Sequence, residues 1–132
     1  MEKTAISTDK APQAIGPYSQ AVRVGDFLFL SGQISIDPST GKMVEGDFKE
    51  QALRVMENVK GLLESQGLGM DSIVKTTIFL KDMKDYPKMN EIYGGYFHDN
   101  PPARSTVEVG GLPKGAAVEI EAIALATQPY SY

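Results

Sequence analysis

An arginine on a predicted β-strand is the first residue whose type and position suggest chemistry. Residues 103–109 alternate so that Arg104, Thr106 and Glu108 share one face of the strand. In this position the Arg104 guanidinium lies in solvent at the edge of the sheet, forms an ion pair with a nearby glutamate, or grips a ligand carboxylate through two parallel hydrogen bonds. The sequence alone leaves these interpretations open.

Two carboxylates stand on another predicted strand, where their apolar neighbours make them unusual. In residues 117–126, Glu119 and Glu121 lie on the same face as Ile123 and Leu125. These carboxylates either pair with lysine or arginine side chains, or one of them orders and activates a water molecule. The second interpretation would give the protein a hydrolytic site.

Four further polar residues are candidates on weaker patterns. Tyr18 lies in a rigid Gly-Pro turn that presents its phenol, although a tyrosine in such a turn usually packs against its neighbours. Ser31 and Gly32 follow a predicted buried strand, where the chain can expose a hydroxyl and open backbone. Asn90 flanks the apolar stripe of a predicted helix, as ordinary surface residues do. His98 is near the predicted end of that helix, where a cationic side chain interacts favourably with the last backbone carbonyl groups.

The composition narrows the chemistry, because reactive residue types are missing. The 132-residue chain has no cysteine and 1 histidine. A thiol nucleophile, a disulfide, an iron–sulfur cluster, a thiolate zinc site and a multi-histidine metal site within one chain are therefore excluded. Lysine and arginine number 13 against 17 aspartates and glutamates, and the formal charge of −4 disfavours binding to nucleic acid or to anionic membranes.

The chain reads as one domain over residues 1–132, without linkers, repeats or low-complexity tracts. Residues 1–8 lack the apolar core of a signal peptide. No apolar run approaches the roughly 18 residues of a membrane span. We therefore expect a soluble cytoplasmic protein.

Residues 47–67 carry the clearest secondary-structure pattern. Asp47 can cap the first turn of a helix, and Glu50 follows three residues later as in a capping box. Gly67 is placed to end the helix. Its predicted apolar stripe consists of Phe48, Ala52, Val55, Met56, Val59, Leu62 and Leu63.

The remaining segments predict strands and a second helix. Residues 22–24 and 27–30 flank Gly25-Asp26 and predict a hairpin, in which the four apolar residues 27–30 favour a strand covered on both sides. Further strands are predicted at 73–80, 103–109 and 117–126. The second helix is predicted to begin near Asp85, with its apolar face formed by Met89, Ile92, Tyr93, Tyr96 and Phe97.

The order β-β-α-β-α-β-β, with or without an extra N-terminal strand, predicts an α+β fold with two helices on one face of a mixed sheet. The strands carry apolar residues on both faces, so the face without helices would be left in water. This uncovered face predicts a homo-oligomer.

Five motifs, taken together and in this order, resemble the Rid/YjgF family of reactive-intermediate (enamine/imine) deaminases. Many of its members carry the label L-PSP endoribonuclease or translation inhibitor. The resemblance runs from about residue 3 to residue 126 and is most specific in the last two motifs. The motifs are Ile15-Gly16-Pro17-Tyr18-Ser19-Gln20, Ser31-Gly32-Gln33, Val74-Lys75-Thr76-Thr77, Pro102-Ala103-Arg104-Ser105 and Glu119-Ile120-Glu121-Ala122.

The resemblance implies a chorismate-mutase-like (YjgF-like) fold assembled as a homotrimer, whose three sheets form a barrel with a pocket at each subunit interface. It also implies the activity of a 2-iminobutanoate/2-iminopropanoate deaminase. Such enzymes hydrolyse 2-aminoacrylate and related enamines or imines to 2-keto acids and ammonia, which protects pyridoxal-phosphate enzymes. Neither a cofactor nor a metal is implied for the protein itself.

Roles for individual residues also follow from the resemblance. Arg104 matches the carboxylate-binding arginine of the family, and Glu119 matches the glutamate associated with the hydrolytic water. Tyr18 matches a pocket residue and is a candidate for moving a proton.

Four more positions correspond to residues at the substrate pocket, and three of them match the family pattern. Ser31 and Asn90 match pocket-lining residues, and Gly32 matches the glycine that lets the substrate approach the backbone. Thr106 departs from the pattern, because many members have cysteine there. We therefore expect the backbone groups at Thr106 to matter most.

Three other functions stay open at this stage. The same pocket could serve a non-catalytic, keto-acid-binding regulatory trimer, which would not need Glu119 to orient a water. An RNA-cleaving translation inhibitor is disfavoured by the negative charge and the absence of a basic stripe. A holdase chaperone would use exposed apolar surface.

Overall fold

The computed structural model describes residues 2–127, so Met1 and residues 128–132 of the predicted domain lie outside the described part. Six strands form one mixed sheet in the order β1-β2-β3-β6-β4-β5. All neighbouring strands are antiparallel except β4 and β5, which are parallel. The strands are β1 (Lys3–Ile6), β2 (Ala21–Val24), β3 (Phe27–Gln33), β4 (Ile73–Leu80), β5 (Ala103–Glu108) and β6 (Val118–Leu125).

Both helices pack on one face of this sheet and cover the core, as predicted. The first helix, α1 (Phe48–Glu64), begins where the Asp47 side chain accepts a hydrogen bond from the backbone N–H of Glu50 at 3.0 Å. Gly67 follows the helix with a φ of +72°, a conformation that glycine adopts without strain. The predicted start, apolar stripe and end of α1 are confirmed.

The second helix is shorter than the sequence pattern suggested. It forms α2 (Tyr86–Gly94), which connects the parallel strands β4 and β5. Tyr96 and Phe97 lie beyond its end, although they pack against the core. Their predicted place on the helix was wrong, because the helix ends at Gly94 and Gly95.

The hairpin and the extra N-terminal strand are confirmed. The prediction that residues 27–30 are covered on both sides is not confirmed within one chain. In β3 the side chains of Leu28 and Leu30 are buried, while Phe27 and Phe29 are 44% and 43% exposed. Within one chain β3 is therefore covered on one side only. Val107 and Leu125 extend the apolar surface of this open face, and the predicted homotrimer stays a prediction. Neither helix of the described part is long and apolar enough to span a membrane.

The N-terminal segment crosses α1 so closely that one helical position must be glycine. A Cβ atom on Gly61 would overlap the backbone carbonyl oxygen of Lys10. Gly61→Ala should therefore lower the free energy of unfolding by about 1–3 kcal/mol, even though alanine favours helix formation. The matched control is Gly94→Ala, where no atom lies within 4 Å and the expected result is stabilisation of up to about 1 kcal/mol. Urea unfolding checks both variants, and equal or higher stability of Gly61→Ala would contradict the close approach.

Candidate active site

The residues singled out from the sequence form two groups. The first lines a cavity of about 430 Å³, which we call the Glu119 cavity and which contains Tyr18, Ser31, Gly32 and Glu119. The second group, the Arg104 cluster, lies between β5 and α2. It consists of Arg104, Thr106, Tyr86, Asn90 and Tyr93.

Gly32 in the Glu119 cavity makes room for the neighbouring carboxylate. It lies within β3, in a stretch where the pairing with β6 is irregular. A Cβ atom on Gly32 would overlap Oε2 of Glu119 and lie 2.8 Å from its carboxyl carbon. The sequence suggested that this glycine lets a substrate approach the backbone. In the structure the missing side chain of Gly32 leaves space for the Glu119 carboxylate, which lies where a Cβ atom of residue 32 would be.

The Glu119 carboxylate is half-buried and makes no hydrogen bond or ion pair with the residues that the structure describes. Burial raises the pKa of Glu119 above its ordinary value, and the negative charge of nearby Glu121 raises that pKa further. Both carboxylates line the cavity, and no lysine or arginine of the described chain does so. A raised pKa and free oxygen atoms are properties of a general base.

Ser31 and Tyr18 offer opposite hydrogen-bonding capacities to the cavity. The Ser31 hydroxyl donates its hydrogen to the backbone carbonyl of Ser19 at 2.6 Å, so towards a ligand it presents only acceptor lone pairs. The Tyr18 hydroxyl accepts a long hydrogen bond of 3.4 Å from the N–H of Ile15, which leaves its own hydrogen free to be donated.

Arg104 is held by aromatic side chains. Its Nη2 donates a hydrogen bond to the hydroxyl of Tyr86 at 3.1 Å, and its guanidinium carbon lies 5.0 Å from the ring centre of Tyr93. The Tyr93 hydroxyl is fixed in turn by Thr76, at 2.7 Å. The ion pairs within residues 2–127 do not involve Arg104. The ion-pair interpretation is therefore not met in the described chain, and the rest of the guanidinium is available to a ligand.

Two polar atoms of the Arg104 cluster are buried and have no hydrogen-bond partner among residues 2–127. They are Oδ1 of Asn90 and Oγ1 of Thr106. Buried oxygens without a hydrogen-bond partner are rare in folded proteins, and they often mark a functional site. The position of Asn90 beside the apolar stripe predicts an ordinary surface residue, whereas in the structure Tyr86, Asn90 and Tyr93 lie along one face of α2. The Thr106 hydroxyl is hidden, whereas its backbone lies on the edge strand β5.

The two groups lie on opposite faces of the sheet. Arg104 is in register with Thr76, which is buried under the helices. Glu119 is in register with Phe79, three residues further along β4 and therefore on the open face. Strand β4 also separates β5 from β6. A single chain therefore cannot bring Arg104 and Glu119 to one small substrate.

Sequence reasoning missed some residues of both groups. Tyr86 was not singled out, and Tyr93 was assigned only to the apolar face, although the i, i+4, i+7 spacing of Tyr86, Asn90 and Tyr93 carried the signal. Gln20 is 4% exposed and lines the Glu119 cavity, but nothing in its motif showed that it would be buried. His98 is exposed and joins neither group.

Two helices on a six-stranded mixed sheet, with a carboxylate cavity on the open face and, on the edge strand β5, an arginine without an ion-pair partner among residues 2–127, define an α+β protein of the YjgF type. The chain belongs to the Rid/YjgF family, because residues 8–126 match the family model described as Endoribonuclease L-PSP.

Individual relatives are similar over nearly the whole chain. A RutC family protein from Pyrococcus abyssi is 55% identical over 94% of this chain and 98% of its own length. The 2-iminobutanoate/2-iminopropanoate deaminase of Mus musculus is 47% identical over 93% of this chain and 91% of its own. The crystal structure of Escherichia coli TdcF with bound serine has a TM-score of 0.87 and 42% identity, covering 92% of this chain and 98% of TdcF.

Proposed function

We propose that this protein hydrolyses 2-imino acids and their enamine tautomers, of the 2-iminopropionate and 2-aminoacrylate type, to 2-keto acids and ammonia. It would protect pyridoxal-phosphate enzymes from the intermediates that they release in the cytoplasm. The observation that carries the proposal is that Arg104 and Glu119, the two charged groups of the candidate site, both lack an ion-pair partner in the described chain. The deaminase from mouse and the serine-bound TdcF support the choice of small amino-acid derivatives.

The site requires two copies of the chain, since its two groups lie on opposite faces of the sheet. In the homotrimer that we propose, the Arg104 cluster of one copy faces the Glu119 cavity of the next. The exposed apolar side chains of the open face favour such an assembly, because association would remove them from water. A ring of three identical, head-to-tail interfaces would contain three such sites.

Binding would begin at Arg104. Its guanidinium would hold the substrate carboxylate through two charge-assisted hydrogen bonds, which fixes the direction in which the imine carbon points. The backbone at Thr106, two residues along the same strand, and the Oδ1 atom of Asn90 would be further contacts for the bound substrate. The Ser31 hydroxyl can accept a hydrogen bond from the N–H of the imine, because its own hydrogen is already donated to Ser19.

Glu119 would then activate the water. Its carboxylate takes a proton from the water as the water oxygen bonds to the carbon of the protonated imine, giving a neutral tetrahedral amino alcohol. Glu119 then gives this proton to the nitrogen and takes the proton of the hydroxyl group as the C–N bond breaks, so that ammonia leaves and the keto acid remains. Tyr18, with its free hydroxyl hydrogen, is placed to move a proton in the second step. An enamine enters the same path once its carbon has gained a proton and become an imine.

RNA cleavage, which the name of the family model suggests, fits the cavity less well. Glu119 and Glu121 both line it, and within residues 2–127 it has no lysine or arginine of its own. The Arg104 that the neighbouring copy would add is one cation, whereas binding along an RNA backbone uses several. A regulatory protein that only binds keto acids would also use Arg104, but it would have no need for Glu119 to orient a water molecule.

The test uses 2-iminopropionate produced in the cuvette from alanine by an amino-acid oxidase, with semicarbazide to trap the imine that remains. We expect the protein to speed the loss of imine and to release pyruvate and ammonia. An unchanged rate would refute the deaminase. Parallel incubations with an oligoribonucleotide and with 2-oxobutanoate test the two alternatives. Cleavage of the oligoribonucleotide would favour the RNA-cleaving function. Binding of 2-oxobutanoate without imine turnover would favour the regulatory function.

The pH dependence of this reaction should respond to Glu121. A base must be ionised, so kcat/KM is retained above the pKa of Glu119 and falls as the pH drops through it. Because Glu121 helps to raise the pKa of Glu119, the Glu121→Gln variant should move the acidic limb of the pH profile to lower pH. Glu64→Gln removes an equal charge from the exposed end of α1 and should leave that limb in place. A limb that stays fixed or moves upward in Glu121→Gln would contradict the role of Glu119 as the base.

A further inference from the structure

A buried glutamine fastens one wall of the Glu119 cavity. The Gln20 side chain makes four hydrogen bonds to a single segment, residues 8–13, which we call the strap. Its Oε1 accepts from the N–H of Thr8 at 2.7 Å. Its Nε2 donates to the carbonyl oxygens of Thr8, Ala11 and Pro12 at 3.0, 3.2 and 2.7 Å. Since Nε2 has two hydrogens, at least one of them is shared between two carbonyls.

The strap depends on the Gln20 side chain because the strap itself is not paired with any strand that the structure describes. It belongs to no helix or strand, and the structure shows no backbone–backbone hydrogen bond to it from the described residues. Its other side-chain hydrogen bonds among the described residues are internal, from the Gln13 amide to the Thr8 carbonyl and from the Lys10 N–H to the Thr8 hydroxyl. Gln20 is therefore its main polar attachment to the rest of the protein.

The opposite side of the strap rests on α1. The carbonyl oxygen of Lys10 occupies the space in which a side chain at Gly61 would lie, and Ala11 is 1% exposed. The strap is thus held between the bare backbone of Gly61 and the carboxamide of Gln20. Both anchors fix its position relative to the sheet.

The same glutamine connects the strap to the residues that face the ligand. Pro12 and Gln13 of the strap line the Glu119 cavity, and Gln20 lines it as well. The backbone carbonyl of Gln20 accepts a hydrogen bond from the N–H of Ser31 at 3.0 Å. The position of the strap wall and the position of Ser31 are therefore set by one residue.

We propose that Gln20 is a positioning residue that sets the affinity of the Glu119 cavity for 2-keto and 2-imino acids by holding the strap in place. The ligand class rests on the proposed function, whereas the link between strap and cavity does not. Because the strap borders the cavity without including Arg104 or Glu119, loosening it weakens binding more than it slows the chemical step.

The test is Gln20→Glu, which keeps the shape of the side chain but turns a carboxylate oxygen towards three carbonyl oxygens. Hydrogen exchange should speed up at the amide of Thr8 by at least about tenfold, because its partner side chain is no longer held. The Kd for 2-oxobutanoate and the KM for 2-iminopropionate should both rise about tenfold, with kcat changed by less than about threefold. Gln66→Glu, at the end of α1 and outside the cavity, should change none of these values.

Gly61→Ala gives a second test, from the other side of the strap and at a temperature where the variant is folded. It should raise the same Kd and KM, again with little change in kcat. Faster exchange in the strap with an unchanged Kd for 2-oxobutanoate would overturn the inference and leave the proposed function intact. A fall in kcat equal to the rise in KM would assign Gln20 to the chemical step and also overturn it. If the wild-type protein binds 2-oxobutanoate but does not hydrolyse imines, only the deaminase proposal is refuted. In that case a higher Kd for 2-oxobutanoate in Gln20→Glu would still support the role of Gln20.

Discussion

Arg104→Ala is expected to lower kcat/KM for 2-iminopropionate by about 10²–10⁴-fold. The variant loses two charge-assisted hydrogen bonds to the substrate carboxylate, each of which contributes about 1.5–3 kcal/mol when the acceptor is ionised. Steady-state kinetics in the oxidase-coupled assay measure the effect. The loss should appear mainly in KM, because the carboxylate is bound in both the ground state and the transition state, and a smaller fall in kcat would reflect the lost orientation of the imine carbon.

Arg104→Lys separates the charge of this residue from its shape. Lysine keeps the positive charge but lacks the planar fork, and it cannot donate to Tyr86 and the substrate in the same geometry. We expect activity between those of the wild type and Arg104→Ala. Arg23→Ala, which removes an exposed arginine from β2, is the matched control and should keep full activity. Full activity of Arg104→Ala with normal thermal unfolding would exclude the carboxylate contact.

Glu119→Gln is expected to lower kcat by about 10²–10⁴-fold, the usual contribution of a general base, and to leave KM nearly unchanged. The variant should be at least as stable as the wild type. The raised pKa of Glu119 means that folding disfavours its ionised form, so at neutral pH the neutral amide removes an unfavourable charge. Kinetics combined with thermal unfolding check both parts. Lower stability with normal kcat would show that the carboxylate is structural.

Gly32→Ala offers an independent route to the same group. The new methyl would occupy the place of the Glu119 carboxyl oxygen, and the flexible end of that side chain would have to turn away. The Gly32 backbone has no positive φ, so alanine itself is tolerated there. We therefore expect a loss of kcat similar to that of Glu119→Gln while the fold is retained.

The sequence predicted the elements whose signals are local. The capping side chain of Asp47, the regular apolar spacing and the glycine at position 67 determine α1 without help from the rest of the chain. Strand β4 spans Ile73–Leu80, as the sequence predicts, because β-branched residues and the flanking turns mark both of its ends. The candidate residues themselves came from the family resemblance as much as from their spacing.

Features that depend on long-range packing could not be predicted in this way. Alternation placed Arg104 and Glu119 correctly on their own strands, but it does not tell which face of each strand meets the helices. That information comes from the register of β4 with both neighbours. Gln20 illustrates the same limit, because its burial depends on a strap that has no regular secondary structure.

The central claim, a hydrolytic site shared between neighbouring copies, is tested most directly by mixing two inactive variants. Arg104→Ala subunits still carry Glu119, and Glu119→Gln subunits still carry Arg104. When equal amounts are unfolded together and refolded, one interface in four should combine both intact residues, so about a quarter of the wild-type imine hydrolysis should return. A mixture no more active than the two variants refolded separately would contradict the shared site.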